Sequence, residues 1–151
     1  TDLEIKLIGP IDISVNEELE THNLRLKTTL IDSLPHKDVL SHLIQSQVLL
    51  LPLNDVPNID GVIPGKMYEY FGAKRPIICI GKEDGDAADI IHETQTGIVV
   101  GFKDKIKLKT ELLNFYNQYK SGGIFLNSQD YLRYSRKELA SKIANTLNTL
   151  N

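Results

Sequence analysis

Short apolar segments alternate with amphipathic segments of helical periodicity along the whole chain. Five of the apolar segments have the length and residue types of β-strands: Leu3–Ile8, Leu24–Ile31, Val48–Leu51, Pro76–Ile80 and Ile98–Val100. Strands that alternate with helices predict an α/β fold with a doubly wound parallel sheet, covered by helices on both faces. Val48–Leu51 is apolar on both faces, which predicts a central strand of that sheet.

The segments between the strands carry helix-start signals. Ser14 with Glu17 and Ser135 with Glu138 have capping-box spacing, and Asp86 and Asp104 are predicted N-caps. Two long helical segments near the end of the chain have apolar residues that are expected to face the core: Ile106, Leu108, Leu112, Leu113 and Tyr116 in the first, and Leu139, Ile143, Leu147 and Leu150 in the second.

Length and charge exclude several classes of function. The 151 residues, with 17 Lys and Arg against 20 Asp and Glu, predict one domain over residues 1–151 without the basic field that nucleic acid or an anionic membrane requires. No apolar run approaches the roughly 18–20 residues that cross a bilayer, and no signal peptide is recognisable, which predicts a cytoplasmic protein. The chain does not begin with methionine, which fits a piece of a longer protein or a trimmed terminus equally well.

Cysteine and histidine usage does not indicate a metal site. Cys79 is the only cysteine and is predicted to lie in a buried strand, and His22, His42 and His92 have no metal-ligand spacing. His36 opens a predicted helix, where a capping or surface role is favoured over a place in a base-binding pocket. Asp84 and Asp86 could suggest magnesium, but an N-cap role is favoured for Asp86.

The longest loop follows the strand Val48–Leu51 and ends at Pro64-Gly65-Lys66, where a helix is expected to start. Backbone amides at a helix N-terminus bind anions, and a glycine there lets a ligand approach closely. Lys66 adds a positive charge. Glu69 lies one turn further along the same face, where it could accept hydrogen bonds from the two hydroxyls of a ribose. The spacing therefore suggests a nucleoside diphosphate site; the simpler interpretation is a surface ion pair between Lys66 and Glu69.

Residues 61–100, GVIPGKMYEYFGAKRPIICIGKEDGDAADIIHETQTGIVV, resemble the signature region of the C-terminal domain of GT-B glycosyltransferases of the large retaining family 4. The PGK-x-YEY variant is typical of members that build bacterial polysaccharides. Three flanking segments are similar to neighbouring parts of the same domain: IKLIGP, PHKDVLSHLIQSQVLLLPL and YSRKELASKIANTL. The resemblance covers nearly the whole chain and implies a Rossmann-like half of a two-domain enzyme.

The resemblance implies roles for a few residues. Glu69 matches the glutamate that binds the donor's ribose. Gly65, Lys66 and Met67 match the helix start that holds the donor diphosphate, where Lys66 would stabilise the leaving group, and Gly9 matches a glycine beside the donor cleft. The implied reaction is transfer of a sugar from a nucleoside diphosphate sugar to an acceptor hydroxyl with retention of configuration.

The resemblance also implies partners. The donor is the substrate, and neither a metal nor a further cofactor is required. An N-terminal domain of the same protein would bind the acceptor, so that this chain alone is expected to be inactive. Membrane association would be indirect at most, at the inner membrane through the full-length protein.

The chain departs from the family pattern at two places. Gly61, with Asp60 beside it, stands where the family has a second glutamate that contacts the transferred sugar. The strand and helix that usually open such domains have no counterpart. An alternative is therefore a non-catalytic Rossmann-like module that has lost donor chemistry and acts in interaction or regulation. A nucleotide-sugar epimerase shares the architecture, but the cluster of carboxylates and histidines that it needs is missing from the sequence.

Overall fold

The computed structural model describes residues 3–124, 126, 128 and 130–149, which divide into two compact units, one up to His42 and the other from Leu43 onwards. Each unit contains its own sheet of parallel strands. The prediction of an α/β fold with parallel strands is therefore confirmed, with the five strands divided between a two-stranded and a three-stranded sheet.

The first unit consists of β1 (Ile5–Ile8), α1 (Ile13–Thr21), β2 (Thr28–Ile31) and most of α2 (His36–Gln45). Strands β1 and β2 are parallel, with Ile5 opposite Thr28. Asp12, rather than the predicted Ser14, caps α1: its carboxylate accepts a hydrogen bond from the Ser14 amide at 2.9 Å. Hydrogen bonding to Ser14, through its side chain first and its amide second, lowers the pKa of Asp12. The capping-box prediction is wrong here because the helix begins one residue before Ser14.

The second predicted strand, Leu24–Ile31, is extended only in its second half. Residues Arg25–Lys27 form a 3₁₀ turn, in which the Lys27 amide and the Thr28 hydroxyl both donate to the Leu24 carbonyl. The turn leaves Leu26 fully exposed. Leu26 therefore fits the apolar pattern of a strand although its side chain is not buried.

The second unit is built on three parallel strands in the order β3 (Leu49–Pro52), β4 (Ile77–Ile80) and β5 (Gly97–Val100). Helix α3 (Lys66–Ala73) connects β3 to β4, and α4 (Asp86–Thr94) connects β4 to β5. Helix α5 (Lys105–Lys120), a 3₁₀ segment (Asp130–Tyr134) and α6 (Arg136–Thr149) follow. Because the strands are parallel, the loops after all three leave from one edge of the sheet.

The core of the second unit lies between its sheet and helices α3 and α4. Its buried side chains come from every one of these elements and from the 3₁₀ segment: Leu51, Met67, Phe71, Ile77, Cys79, Ala87, Ala88, Ile90, Ile91, Val99 and Tyr131. Asp104 caps α5, with its carboxylate 2.9 Å from the Lys107 amide, and the Ser135 hydroxyl accepts from the Glu138 amide at the start of α6. Both caps were predicted correctly.

Strand β3 is not the central, doubly covered strand that its composition predicts. Leu49 and Leu51 are buried, whereas Leu50 is 46% exposed. Among the described residues β3 pairs with β4 alone, so that it forms an edge of this sheet. The Leu50 carbonyl instead accepts a hydrogen bond from the Tyr70 hydroxyl of α3, at 3.2 Å.

The apolar faces predicted for the last two helices are largely exposed. In α5, Leu108 is half-buried, and the other four residues are exposed: Ile106, Leu112, Leu113 and Tyr116. The half-buried positions of α5 are Lys107, Leu108, Glu111 and Phe115, a different face of the helix. In α6, Leu139, Ile143 and Leu147 are 42%, 63% and 58% exposed, and Leu150 lies outside the described residues.

Candidate functional site

The candidate site lies in the second unit, at the carboxyl ends of its three parallel strands. The loop after β3 is held there by contacts of Asp60. The Lys82 ammonium, on the loop after β4, lies 2.7 Å from an Asp60 carboxylate oxygen. The backbone of Gly85 also passes close to that of Asp60, since a Cβ placed on Gly85 would stand 3.2 Å from the Asp60 carbonyl oxygen. These contacts fix the loop just ahead of Pro64 and α3.

The N-terminus of α3 is open. Gly65 is the N-cap residue, no side chain caps the helix, and a Cβ at Gly65 would meet nothing within 4 Å. The Met67 amide donates to the Pro64 carbonyl at 3.0 Å and the Tyr68 amide to the Gly65 carbonyl at 3.2 Å. Within the described part of the chain, the amides of Gly65 and Lys66 donate to no acceptor. Two N–H groups and the positive end of the helix dipole therefore remain for an anion.

Lys66 and Glu69 lie on this first turn without pairing. Lys66 is exposed and Glu69 half-buried, and among the described residues neither forms an ion pair, with the other or with a third group. The interpretation as a simple surface pair is therefore wrong. Met67, by contrast, is 0% exposed and belongs to the core, so that only its backbone lies at the helix start.

Tyr70 lies beside Glu69 and reports on its charge. Burial of the Tyr70 ring is the main cause of a raised pKa, and the negative charge of Glu69 raises it further. Helix α3 is fixed on this side by the hydrogen bond from the Tyr70 hydroxyl to Leu50 of β3. The Glu69 carboxylate lies next to this attachment, and within the described residues it takes part in no ion pair.

Gly61, with Asp60 beside it, stands where the resembled sequence pattern has a second glutamate, and the two residues differ in their surroundings. The carboxylate of Asp60 is engaged by Lys82, which also lies 3.6 Å from Asp84, and the hydrogen bond to Asp60 is the largest cause of the raised pKa of Lys82. Around Gly61, a Cβ would meet nothing within 4 Å. A ligand beside these two residues would therefore meet the Asp60 carboxylate already paired with Lys82, and open space at Gly61.

Gly9, the remaining predicted site residue, belongs to the first unit. It follows β1 with φ of +107°, a conformation that residues with a side chain rarely adopt, and its amide donates to the Ile31 carbonyl at 3.0 Å. This geometry explains why the chain has glycine at the end of β1. Its predicted role beside a donor stays a prediction.

An aromatic cluster behind α3 was not predicted from the sequence. We define it as Tyr68 and Phe71 of α3 with Tyr131 and Tyr134 of the 3₁₀ segment; the four ring pairs have centroids 5.9–6.3 Å apart. Such separations are those of favourable aromatic contacts. The i, i+3 spacing of Tyr68 and Phe71 was a visible signal, but nothing local to it indicates partners sixty residues later.

Metal ligands do not converge in the part of the chain that the structure describes: no group of three or more His, Cys, Asp or Glu side chains is arranged to hold a metal ion. Asp86 is the first residue of α4, and Gly85, not Asp86, is the N-cap residue, so that the predicted capping role is wrong by one position. None of the described helices combines the length and apolar character needed to cross a membrane.

Comparison of the sequence with models of known protein families gives no match, and comparison with curated proteins gives none either.

Proposed function

We propose that this chain is the nucleotide-sugar-binding domain of a retaining glycosyltransferase and forms one half of a two-domain GT-B enzyme. In this proposal the parallel strands and their helices belong to a doubly wound, Rossmann-like domain. The other half, an N-terminal domain of the same protein, would present the acceptor hydroxyl. The resemblance of residues 61–100 suggests this class, and the α/β fold with parallel strands is compatible with it.

One observation carries the proposal: the start of α3 offers two amides without an acceptor among the described residues, next to a lysine and a glutamate that are both unpaired there. An unpaired carboxylate one turn behind an anion site would repel a simple phosphate. It is useful if the ligand carries hydroxyl groups behind its phosphates, as a nucleoside diphosphate does.

The proposed chemistry is stabilisation of a leaving group. As the bond between sugar and diphosphate breaks, negative charge grows on the departing diphosphate. The amides of Gly65 and Lys66 and the Lys66 ammonium would stabilise that charge, while Glu69 holds the ribose in place. Neither a protein nucleophile nor a resident metal is part of this proposal. In the intact enzyme the reaction would take place in the cytoplasm, in glycan biosynthesis.

The proposal is tested by titrating the chain with uridine, guanosine and adenosine diphosphates in parallel, by calorimetry or by NMR. One of them is expected to bind. Lys66→Ala and Glu69→Ala should each weaken it by about 1–3 kcal/mol, or about 5- to 150-fold, because each removes a charge-assisted hydrogen bond. Lys109→Ala, which removes an exposed lysine of α5, is the matched control and should leave the affinity unchanged.

Gly65→Ala separates binding from folding. A Cβ fits at this position without a clash, and the backbone φ of −55° suits alanine, so that the free energy of unfolding should not fall. The added methyl group would obstruct the approach of a diphosphate, and the affinity should decrease. Binding that is equal in parent, Lys66→Ala, Glu69→Ala and Gly65→Ala would refute the site.

The engagement of Asp60 by Lys82 and the missing side chain at Gly61 favour a second candidate, a non-catalytic module that kept the fold and lost its sugar contacts. This candidate predicts that none of the three nucleotides binds. It also predicts that Gly61→Glu, which introduces a carboxylate into open space, leads to binding of neither a free diphosphate nor a diphosphate sugar.

A further inference from the structure

Helix α3 has only eight residues, and the directions of Lys66 and Glu69 depend on its rotation about its own axis. Side-chain atoms lie about 5–6 Å from a helix axis, so a rotation of about 20° moves them by about 2 Å. A displacement of this size is large for a charged group that must meet a ligand oxygen at hydrogen-bond distance. Whatever fixes the rotation of α3 therefore also sets the geometry of its first turn.

Two attachments fix one side of α3. Met67 and Phe71 are buried in the core, and Tyr70 donates to the Leu50 carbonyl of β3. Tyr68 takes part in neither attachment. It is 40% exposed and lies one residue before Glu69 and two after Lys66. Its ring contacts Phe71 edge-to-face and lies at a tilt to Tyr134, with centroids 6.0 and 6.3 Å away.

Tyr134 is itself held in place from α4. Its hydroxyl donates to one Glu93 carboxylate oxygen at 2.7 Å, and the guanidinium of Arg133 binds the other oxygen. The Tyr134 ring also contacts Phe71, with centroids 6.3 Å apart. A single carboxylate of α4 thus fixes two consecutive residues of the 3₁₀ segment, and the segment supports the exposed side of α3.

We propose that Tyr134 is a positioning residue for the first turn of α3: anchored to Glu93, it supports Tyr68 and so holds Lys66 and Glu69 in the directions that a nucleoside diphosphate requires. The inference rests on the proposed function for its ligand. Its structural content, that Tyr134 sets the geometry of the Gly65–Lys66 amides, stands apart from that function and is measurable without ligand.

The experiment uses the full chain and two substitutions of graded severity. Tyr134→Phe keeps the ring contacts and removes the hydrogen bond to Glu93, and Tyr134→Leu removes both. Tyr119→Phe and Tyr119→Leu, at a 46% exposed tyrosine of α5 in the same unit, are the matched controls. The readouts are the NMR shifts of the Gly65 and Lys66 amides without ligand, the Kd for uridine, guanosine and adenosine diphosphates, and the urea midpoint.

Both Tyr134 variants are expected to shift the two amide resonances, and the Tyr119 variants are not. Affinity should fall by about twofold in Tyr134→Phe and by about three- to tenfold in Tyr134→Leu, as expected for misplaced binding groups. A purely structural residue would lower the urea midpoint and leave the amide shifts and the Kd of the folded protein unchanged, and that result would overturn the inference.

If the parent binds a nucleotide and the Tyr134 variants bind it equally well, the positioning role is refuted while the binding site stands. If the parent binds none of the three, the proposed function fails, and the ligand-free amide shifts still decide whether Tyr134 controls the first turn of α3. Unchanged shifts would refute that control.

Discussion

Gly97, the first residue of β5, is the position at which a single methyl group should do most damage. A Cβ built there would stand 2.0 Å from the Ile77 carbonyl oxygen and 2.8 Å from both the carbonyl carbon and the amide nitrogen of the same residue. These atoms belong to the backbone of the neighbouring strand, in direct register with Gly97. No side-chain rotation relieves the clash, so β4 and β5 must separate by about 1 Å in Gly97→Ala.

The cost follows from what that separation breaks. The Ile77 amide donates to the Thr96 carbonyl at 3.0 Å, and both residues are 0% exposed, so breaking this bond leaves buried polar groups without partners at about 1–3 kcal/mol. Disturbed packing of the surrounding core adds about 1–3 kcal/mol. Gly97→Ala should therefore lower the free energy of unfolding by about 2–6 kcal/mol, a large part of the 5–15 kcal/mol of a typical domain.

Urea unfolding followed by far-UV circular dichroism measures this loss, since the chain has no tryptophan to report by fluorescence. Gly61→Ala is the matched control: a Cβ there meets nothing within 4 Å, and the change should stay within about 0.5 kcal/mol. If Gly97→Ala unfolds at the same urea concentration as Gly61→Ala, the close approach of β4 and β5 at this point is wrong.

Two further predictions concern titration. Glu69→Gln should lower the pKa of Tyr70 part of the way towards 10.0, because it removes the smaller of two causes and leaves burial in place. The pH dependence of the Tyr70 ring resonances in NMR measures this, and an unchanged Tyr70 titration would place the Glu69 charge elsewhere. Burial raises the pKa of the Cys79 thiol to about 11, so at pH 8 only about one thiol in a thousand is ionised. Cys79 should react with a thiol reagent orders of magnitude more slowly in the native protein than in urea, and equal rates would contradict its buried position.

The parts of the fold that were predictable from the sequence are those that local chemistry determines. The strand of the Pro76–Ile80 segment and the helix start after Pro64-Gly65 need no knowledge of distant residues, and both agree with the structure to within one residue. The first turn of α3 was predictable for the same reason, because its amides, Lys66 and Glu69 lie within five consecutive positions.

The remaining features depend on which segments meet. Apolar periodicity identified a stripe on α5, but burial requires a partner surface. Of that stripe only Leu108 is half-buried, and the other half-buried positions, Lys107, Glu111 and Phe115, lie on a different face. The ion pair of Asp60 with Lys82 joins two loops, and the support of Tyr68 by Tyr134 joins residues far apart in sequence. Neither pairing leaves a local pattern, because residues that far apart become neighbours only after folding.

Helix α6 ends the described chain with every residue exposed and three large apolar side chains in a row along one side. An isolated helix of 14 residues is marginally stable in water, and α6 has no buried side chain to stabilise it further. Any surface that meets Leu139, Ile143 and Leu147 would therefore complete the folding of this segment as it binds. The affinity of that surface for α6 would then depend on the helix propensity of α6 residues that the surface does not contact. Asn145→Ala should therefore strengthen the binding, and Asn145→Gly should weaken it.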